Sequence, residues 1–411
     1  MTTQKDDLEK PIPKAFSQFE FLKDTFLCSL VAFGGPETHL GVFLDRLVQK
    51  KNYLSEKAIL EWMALCSFLP GPTSTQVITA IGLEKGGRSL AILTLLFWAM
   101  PAIVLMTLIA LIPALIDKNS FANITSFLAP MAAGFVGWAA WVLGKKVIIN
   151  PLSFGLWGFG LAIAVLSTSP WAIPVAFGVG AGLSILLSPK TDQFQSLHAG
   201  KFSVPWGIFF LFIILLCVGI ISSFFSENSL WVTFERFYRY GYLVFGGGQV
   251  VVPIMQGELV NANALLTQDE FLAGFGLVQA LPGPMFSFAA YAGGLCEQQN
   301  GINLQLLSAM IAGWAIFIPG TLLLFLVHPF WGKLKTLPRA HRALRGINAV
   351  ASGLVSGVFI GILLSISWTP IEIACFIIAL GLLISRKIPA PFIVVIVGLV
   401  HTVFRWLNTL L

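Results

Sequence analysis

The chain has 411 residues, 56% of them hydrophobic and only 11% charged, with a net charge of +6. Soluble domains carry about 25% charged residues, so a soluble enzyme or nucleic-acid-binding domain is excluded. The positive balance says little about partners, because membrane loops carry lysine and arginine for topological reasons.

The chain opens on the polar stretch MTTQKDDLEKPIPK, which lacks the apolar core of a cleavable signal peptide, and residues 1–19 are expected to form a cytoplasmic tail. Apolar segments then follow at 20–35, 58–82, 89–116, 127–149, 152–168 and 170–188. A polar linker and a lone segment at 204–226 come next. The second set lies at 230–247, 270–294, 305–328, 347–367, 370–385 and 388–410. Most approach the roughly 20 residues that a bilayer-crossing helix needs. None alternates with the period of two expected of a transmembrane barrel strand. The fold class predicted is therefore an all-α polytopic membrane protein. The five cysteines lie far apart without metal-binding spacing and read as small buried hydrophobes.

Six segments, one, and six again invite a search for duplication. A shift of 212 residues aligns FGGP (Phe33–Pro36) with FGGG (Phe245–Gly248), and LPGP (Leu69–Pro72) with LPGP (Leu281–Pro284). Leu47/Leu259, Leu54/Leu266, Leu65/Leu277 and Gly82/Gly294 are identical in the same register. The predicted organisation is a first repeat at 20–189, a linker with a linking transmembrane helix at 190–229, and a second repeat at 230–411.

The odd linking helix would insert the second repeat upside down. Charge agrees: 37–57 holds Arg46, Lys50, Lys51 and Lys57, whereas 249–269 holds no lysine or arginine, and 329–346 holds five. Opposite bias in paired loops is expected of inverted repeats under the positive-inside rule. Thirteen full crossings would put the basic loop 37–57 outside. If the first two segments of each half are instead re-entrant, with FGG and PGP at their tips, nine crossings remain. Only Lys118, Arg236, Arg239 and Arg405 then lie outside. The N-terminus is expected in the cytoplasm and the C-terminus outside.

The broken segments carry the chemistry. Irregular backbone at membrane depth is tolerated only where protein or a water-filled cavity surrounds it. A break frees helix N-terminal N–H groups with partial positive charge, a natural anion site. After Pro70, Gly71 and Pro72 come the neutral donors Thr73, Ser74, Thr75 and Gln76, which suit a small oxyanion. Gly34, Gly35 and Pro36 form the companion turn. The matched positions Gly246, Gly247, Gly248 and Gln249, with Pro282, Gly283, Pro284 and Ser287, form a second, donor-poorer site, so the first-half break is expected closer to the ligand. Glu37, His39 and Glu61 are candidates for a coupling proton, and Arg46 for anion contact. Trp98, Trp206, Trp331 and Trp406 are expected in interfacial belts.

The motifs SLVAFGGPETHLGVF and LCSFLPGPTSTQ, with YLVFGGGQVVVPIM and FLAGFGLVQALPGPMFSFAAYAGG, resemble the chromate ion transporter family. Family motif residues map onto Phe33, Gly34, Gly35, Pro36, His39, Pro70, Gly71, Pro72, Ser74 and Gln76. In the second half they map onto Phe245, Gly246, Gly247, Gly248, Pro282, Gly283 and Pro284. Thr73 and Thr75 stand where the family often pairs serines, and Gln249 where histidine is frequent. The resemblance implies a two-repeat transporter of the cytoplasmic membrane, exporting chromate and giving resistance to it, driven by the membrane potential or proton gradient. Sulfate, alike in charge and shape, is the competing substrate, and an anion channel the competing mechanism. No cofactor, metal or nucleic-acid partner is expected; a homodimer is left open. No hydrolase or nucleotide-binding motif supports an enzyme.

Overall fold

A computed structural model of the chain describes residues 16–115, 125–167, 172–188, 205–225, 229–245, 250–334 and 337–410. Every regular element among them is a helix. The first half opens with α1 (Gln18–Val31), whose N-cap Ser17 accepts a hydrogen bond from the Glu20 N–H. After the Gly34–Gly35 turn comes α2 (Pro36–Phe43), which runs on without a gap as a π-helix over Leu44–Lys50. Then follow α3 (Glu56–Cys66) and α4 (Thr73–Leu115), a long helix broken by non-helical backbone at Gly86 and Gly87. Three helices complete the half: α5 (Leu128–Val147), α6 (Pro151–Leu166) and α7 (Ala172–Leu187). The linking helix is α8 (Trp206–Phe225).

The second half repeats this order. It contains α9 (Ser229–Leu243) and α10 (Val251–Gln256), again continued as a π-helix over Gly257–Ala262. Next come α11 (Gln268–Ala280), a 3-10 turn at Met285–Ser287, and α12 (Phe288–Cys296). Then follow α13 (Ile302–Ala315), α14 (Ile318–Val327), the short α15 (Trp331–Leu334), α16 (Pro338–Ser365), α17 (Pro370–Ser385) and α18 (Ala390–Leu410). The correspondence reaches single residues. Asn52 and Ala264, 212 positions apart, both have positive φ (51° and 49°). The N-caps Ser55 and Thr267 stand at the same register, each accepting a hydrogen bond from a backbone N–H three residues on.

The stretches 37–57 and 249–269, read from sequence as loops, are largely helical. The reason is an apolar stripe hidden among charges: His39, Phe43 and Leu47 are buried at helical spacing, and Val251, Val252, Met255 and Leu259 do the same in the second half.

Segment lengths separate two kinds of helix. At 1.5 Å per residue, α1, the 36–50 leg, α3 and the 73–85 arm of α4 span only about 16–22 Å. A hydrocarbon core is about 30 Å thick. The 88–115 arm reaches about 42 Å. Among the described residues, four helical stretches are individually long and apolar enough to cross a membrane: Thr73–Leu115, Ile302–Phe330, Pro338–Ser365 and Ala390–Leu407. Shorter apolar helices include α6, α7 and α17. The chain is an all-helical, multi-pass membrane protein.

Glycine sets how closely the halves pack. α16 of the second half lies against α5, α6 and α7 of the first. At Gly346 a Cβ would meet Gly180 backbone, and at Gly353 the Trp157 carbonyl. Such close approach is how membrane helices gain dispersion energy where lipid is as apolar as leucine. Polar ties add to it: Gln305 Nε2 donates to the Ala110 carbonyl at 2.7 Å.

Candidate functional site

Each PGP turn needs a backbone that only glycine adopts readily: Gly71 has φ of +114° and Gly283 of +105°. These glycines also make the contact that organises the centre of the molecule. The Gly71 N–H donates to the Val244 carbonyl (2.7 Å), and the Gly283 N–H donates to the Ala32 carbonyl (2.8 Å). Positions 32 and 244 match under the repeat, as do 71 and 283. Each PGP turn therefore bonds to the backbone just ahead of the other half's FGG motif, a reciprocal contact of the kind a two-fold axis produces.

Three chain breaks meet around one void. Its lining is Gly35, His39, Pro72, Thr73, Ser74, Pro284, Met285 and Phe286. Three helix starts face it: α2 after Gly35, α4 after Pro72, and the 3-10 turn after Pro284. Neither Gly35 nor Pro284 provides a side-chain cap. The first intrahelical bonds, His39 N–H to Gly35 and Gln76 N–H to Pro72, leave the preceding N–H groups free for a ligand. Prolines at the first helical position, Pro36 in α2, cost nothing because that N–H has no partner in any case.

Among the described residues of the lining His39 is the one ionisable side chain, and it is 1% exposed. Its Nδ1 shares a hydrogen bond with Ser74 Oγ at 2.9 Å. Its Nε2 is buried and makes no hydrogen bond to a described residue. The indole of Trp98 meets the imidazole edge-on, with ring centroids 5.4 Å apart. Trp98 Nε1 also donates to Thr75 Oγ1 at 3.0 Å. The void measures about 10 Å³, room for about one water. It is closed to an oxyanion in this arrangement.

The structure thus brings together Gly35, His39, Pro72, Thr73, Ser74 and Pro284 among the residues singled out from sequence. Others support the turn. Gln76 Nε2 donates to the carbonyls of Pro70 (2.8 Å) and Gly320 (3.1 Å), tying the first break to α14. Thr75 faces Trp98, and Gly34 with φ of +92° makes the turn before α2. Pro282 lies in the second turn, and Ser287 is fully buried beside it, outside the lining. Gly246, Gly247, Gly248 and Gln249, and the side chains of Pro36 and Glu37, lie outside the described residues.

Two candidates lie elsewhere. Glu61 is exposed on α3. Arg46 is held by Asp24 at 2.8 Å rather than facing the void. Both breaks contribute to the lining, the first through Pro72, Thr73 and Ser74 and the second through Pro284, Met285 and Phe286. Trp98 is the clearest residue the sequence reading misplaced: it is wholly buried against His39, not in an interfacial belt. Its position ten residues into the 28-residue arm 88–115, far from either end, was the available signal. Trp206 and Trp406 are 59% and 61% exposed.

The chromate transporter family model matches residues 19–185 and again 231–402. The chain belongs to this family. Relatives include a probable chromate transport protein of Synechococcus elongatus, 23% identical over 91% of this chain and 92% of the relative. A chromate transport protein of Pseudomonas aeruginosa is 23% identical, covering 85% and 82%. One of Cupriavidus metallidurans is 24% identical, covering 90% of each chain. No solved structure matches. The two stretches matched by the family model each contain one FGG and one PGP motif, and residues of both stretches line the void.

Proposed function

We propose that the chain is a secondary active transporter that moves a small tetrahedral oxyanion, chromate before sulfate, out across the cytoplasmic membrane. The observation that carries this reading is the meeting of three uncapped helix N-termini around a void with no lysine or arginine among the described residues of its lining. Partial charges and hydroxyls replace the hydration of a dianion without holding it as tightly as full charges would, which favours release. Ser74, Thr73 and the N–H groups after Gly35, Pro72 and Pro284 are the ligand contacts. His39 is the coupling residue: protonation adds the one full positive charge the site can acquire, so ion and proton occupancy favour each other.

The two modules at 20–189 and 230–411 are read as inverted repeats joined by the linking helix α8. The half-length legs flanking the FGG and PGP turns are read as re-entrant, leaving nine crossings, the N-terminus inside and the C-terminus outside. Supporting this, the helix at 36–50 supplies the return leg such a hairpin requires and carries Arg46 and Lys50 back toward the side of the N-terminus.

Flux of labelled chromate and sulfate into everted vesicles or proteoliposomes, with and without an imposed gradient, tests the reading. Saturable flux that follows the gradient is expected. Channel-like rates independent of any gradient would replace the transporter by a channel, and absence of flux for both ions would remove the substrate class.

A further inference from the structure

The repeat carries a second matched feature away from the void. Asp24 on α1 pairs with Arg46 on the π segment after α2, through Nε at 3.0 Å and Nη2 at 2.8 Å. A shift of 212 converts Asp24 into Arg236 and Arg46 into Glu258, and these pair as well, at 3.0 Å. Position and spacing are kept while both charges are reversed. Each pair has recruited reinforcement. Asp24 also accepts from Tyr53 at 2.7 Å and meets Lys51 at 3.3 Å. Glu258 also takes two hydrogen bonds from Arg239, at 2.9 and 3.0 Å, and Arg239 is tied in turn to Glu235.

Three observations give this arrangement a role. Each pair joins the helices on either side of one FGG motif; the first-half turn lines the void with Gly35 and His39, and in the second half the Val244 carbonyl accepts from Gly71, in the PGP turn whose Pro72 lines the void. Arg46 and Glu258 both lie on π-helical segments, Leu44–Lys50 and Gly257–Ala262. A π segment has looser hydrogen bonding than an α-helix and is a common place for a helix to shift at a functional site. Finally, Asp24 and Glu258 are 2% and 5% exposed, so the carboxylate of each pair is shut off from water while the void is closed, with the Arg46 side chain half-buried over the first. Wetting of one pair lowers the energy that holds it together, because a hydrated charge needs its partner less.

We propose that the two charge-reversed pairs are latches on opposite faces of the central void. Asp24–Arg46 closes access from the side of the α1 N-terminus, Arg236–Glu258 closes the other, and transport requires their alternate release. Asp24, Arg46, Arg236 and Glu258 act on the ion through the hairpins that they hold, as positioning residues. The inference rests on the transporter reading of the void.

The test uses the full chain with its five cysteines replaced and Thr73→Cys in the void, labelled by a membrane-impermeant maleimide in right-side-out and everted vesicles. The readout is the ratio of the two labelling rates. Asp24→Asn is expected to shift the ratio about threefold or more toward one face and Glu258→Gln toward the other, as a population shift between two accessible states demands. The double variant Asp24→Arg, Arg46→Asp copies the second half's arrangement and is expected to return the ratio to the parent value. Shifts in the same direction, unchanged ratios, or lower accumulation with no change of ratio overturn the latches. If Asp24→Asn fails to insert, Tyr53→Phe weakens the same latch, and an unchanged ratio in that variant also overturns them. Labelling does not depend on flux: absence of chromate and sulfate flux in the parent chain would remove the transporter reading, while the ratios still judge the latches.

Discussion

At the scale of single residues, the site is made of weak elements that act together. The Ser74 hydroxyl both fixes the His39 ring and faces the void. Hydrogen bonds to charged groups contribute about 1.5–3 kcal/mol. Ser74→Ala is therefore expected to weaken oxyanion binding by ten- to a hundredfold, measured as KM in the flux assay. His39→Gln keeps a polar group of similar reach but cannot gain a charge. Flux at high substrate is expected to persist in this variant while its dependence on a pH gradient disappears, which gradient-jump experiments on proteoliposomes read directly. Trp98 supports His39 from behind. Trp98→Ala leaves a cavity in a fully buried position, a change that typically costs about 3–5 kcal/mol, and is expected to lower the thermal midpoint in detergent. Trp98→Phe retains most of the packing and loses chiefly the Thr75 hydrogen bond.

At the scale of elements, the two glycine turns set the geometry. A Cβ at Gly71 would lie 3.1 Å from Gln76 Nε2 and 3.2 Å from the Gly320 Cα, in a backbone conformation that side chains rarely adopt. Unfavourable backbone of this kind costs about 1–3 kcal/mol. Gly71→Ala is expected to reduce transport more than accumulation, because the N–H bonded to Val244 belongs to the same residue. Much of this level was legible in the sequence. PGP and FGG mark breaks because proline and glycine act through local sterics, and the 212-residue register survived in the motifs. The return helices at 36–50 and 250–262 were not legible as helices. Asp45, Arg46, Lys50 and Glu258 give them a loop-like composition, and what engages Arg46 and the buried Glu258 is an opposite charge on another helix. For the same reason Arg46 resembled an anion contact: the Asp24 that engages it stands 22 residues away. The burial of Trp98 depends on α4 folding back beside its own N-terminus, a contact that no local pattern reports.

At the scale of the whole molecule, the reciprocal bonds between Gly71 and Val244 and between Gly283 and Ala32 make the void a property of both halves. The inverted arrangement has its own test: cysteines at Lys50 and Asn261, both exposed and near matched positions, are expected to label from opposite faces of the membrane. Labelling of both from one face would mean parallel repeats. The claim that one oxyanion site is shared by both halves is tested most directly by equilibrium binding of labelled chromate to the purified protein. Thr73 and Met285 are related by the repeat and both line the void. Thr73→Asp and Met285→Asp are each expected to abolish binding, since either carboxylate would face the dianion across a few ångströms. Undiminished chromate binding by a folded Met285→Asp protein would contradict a shared site.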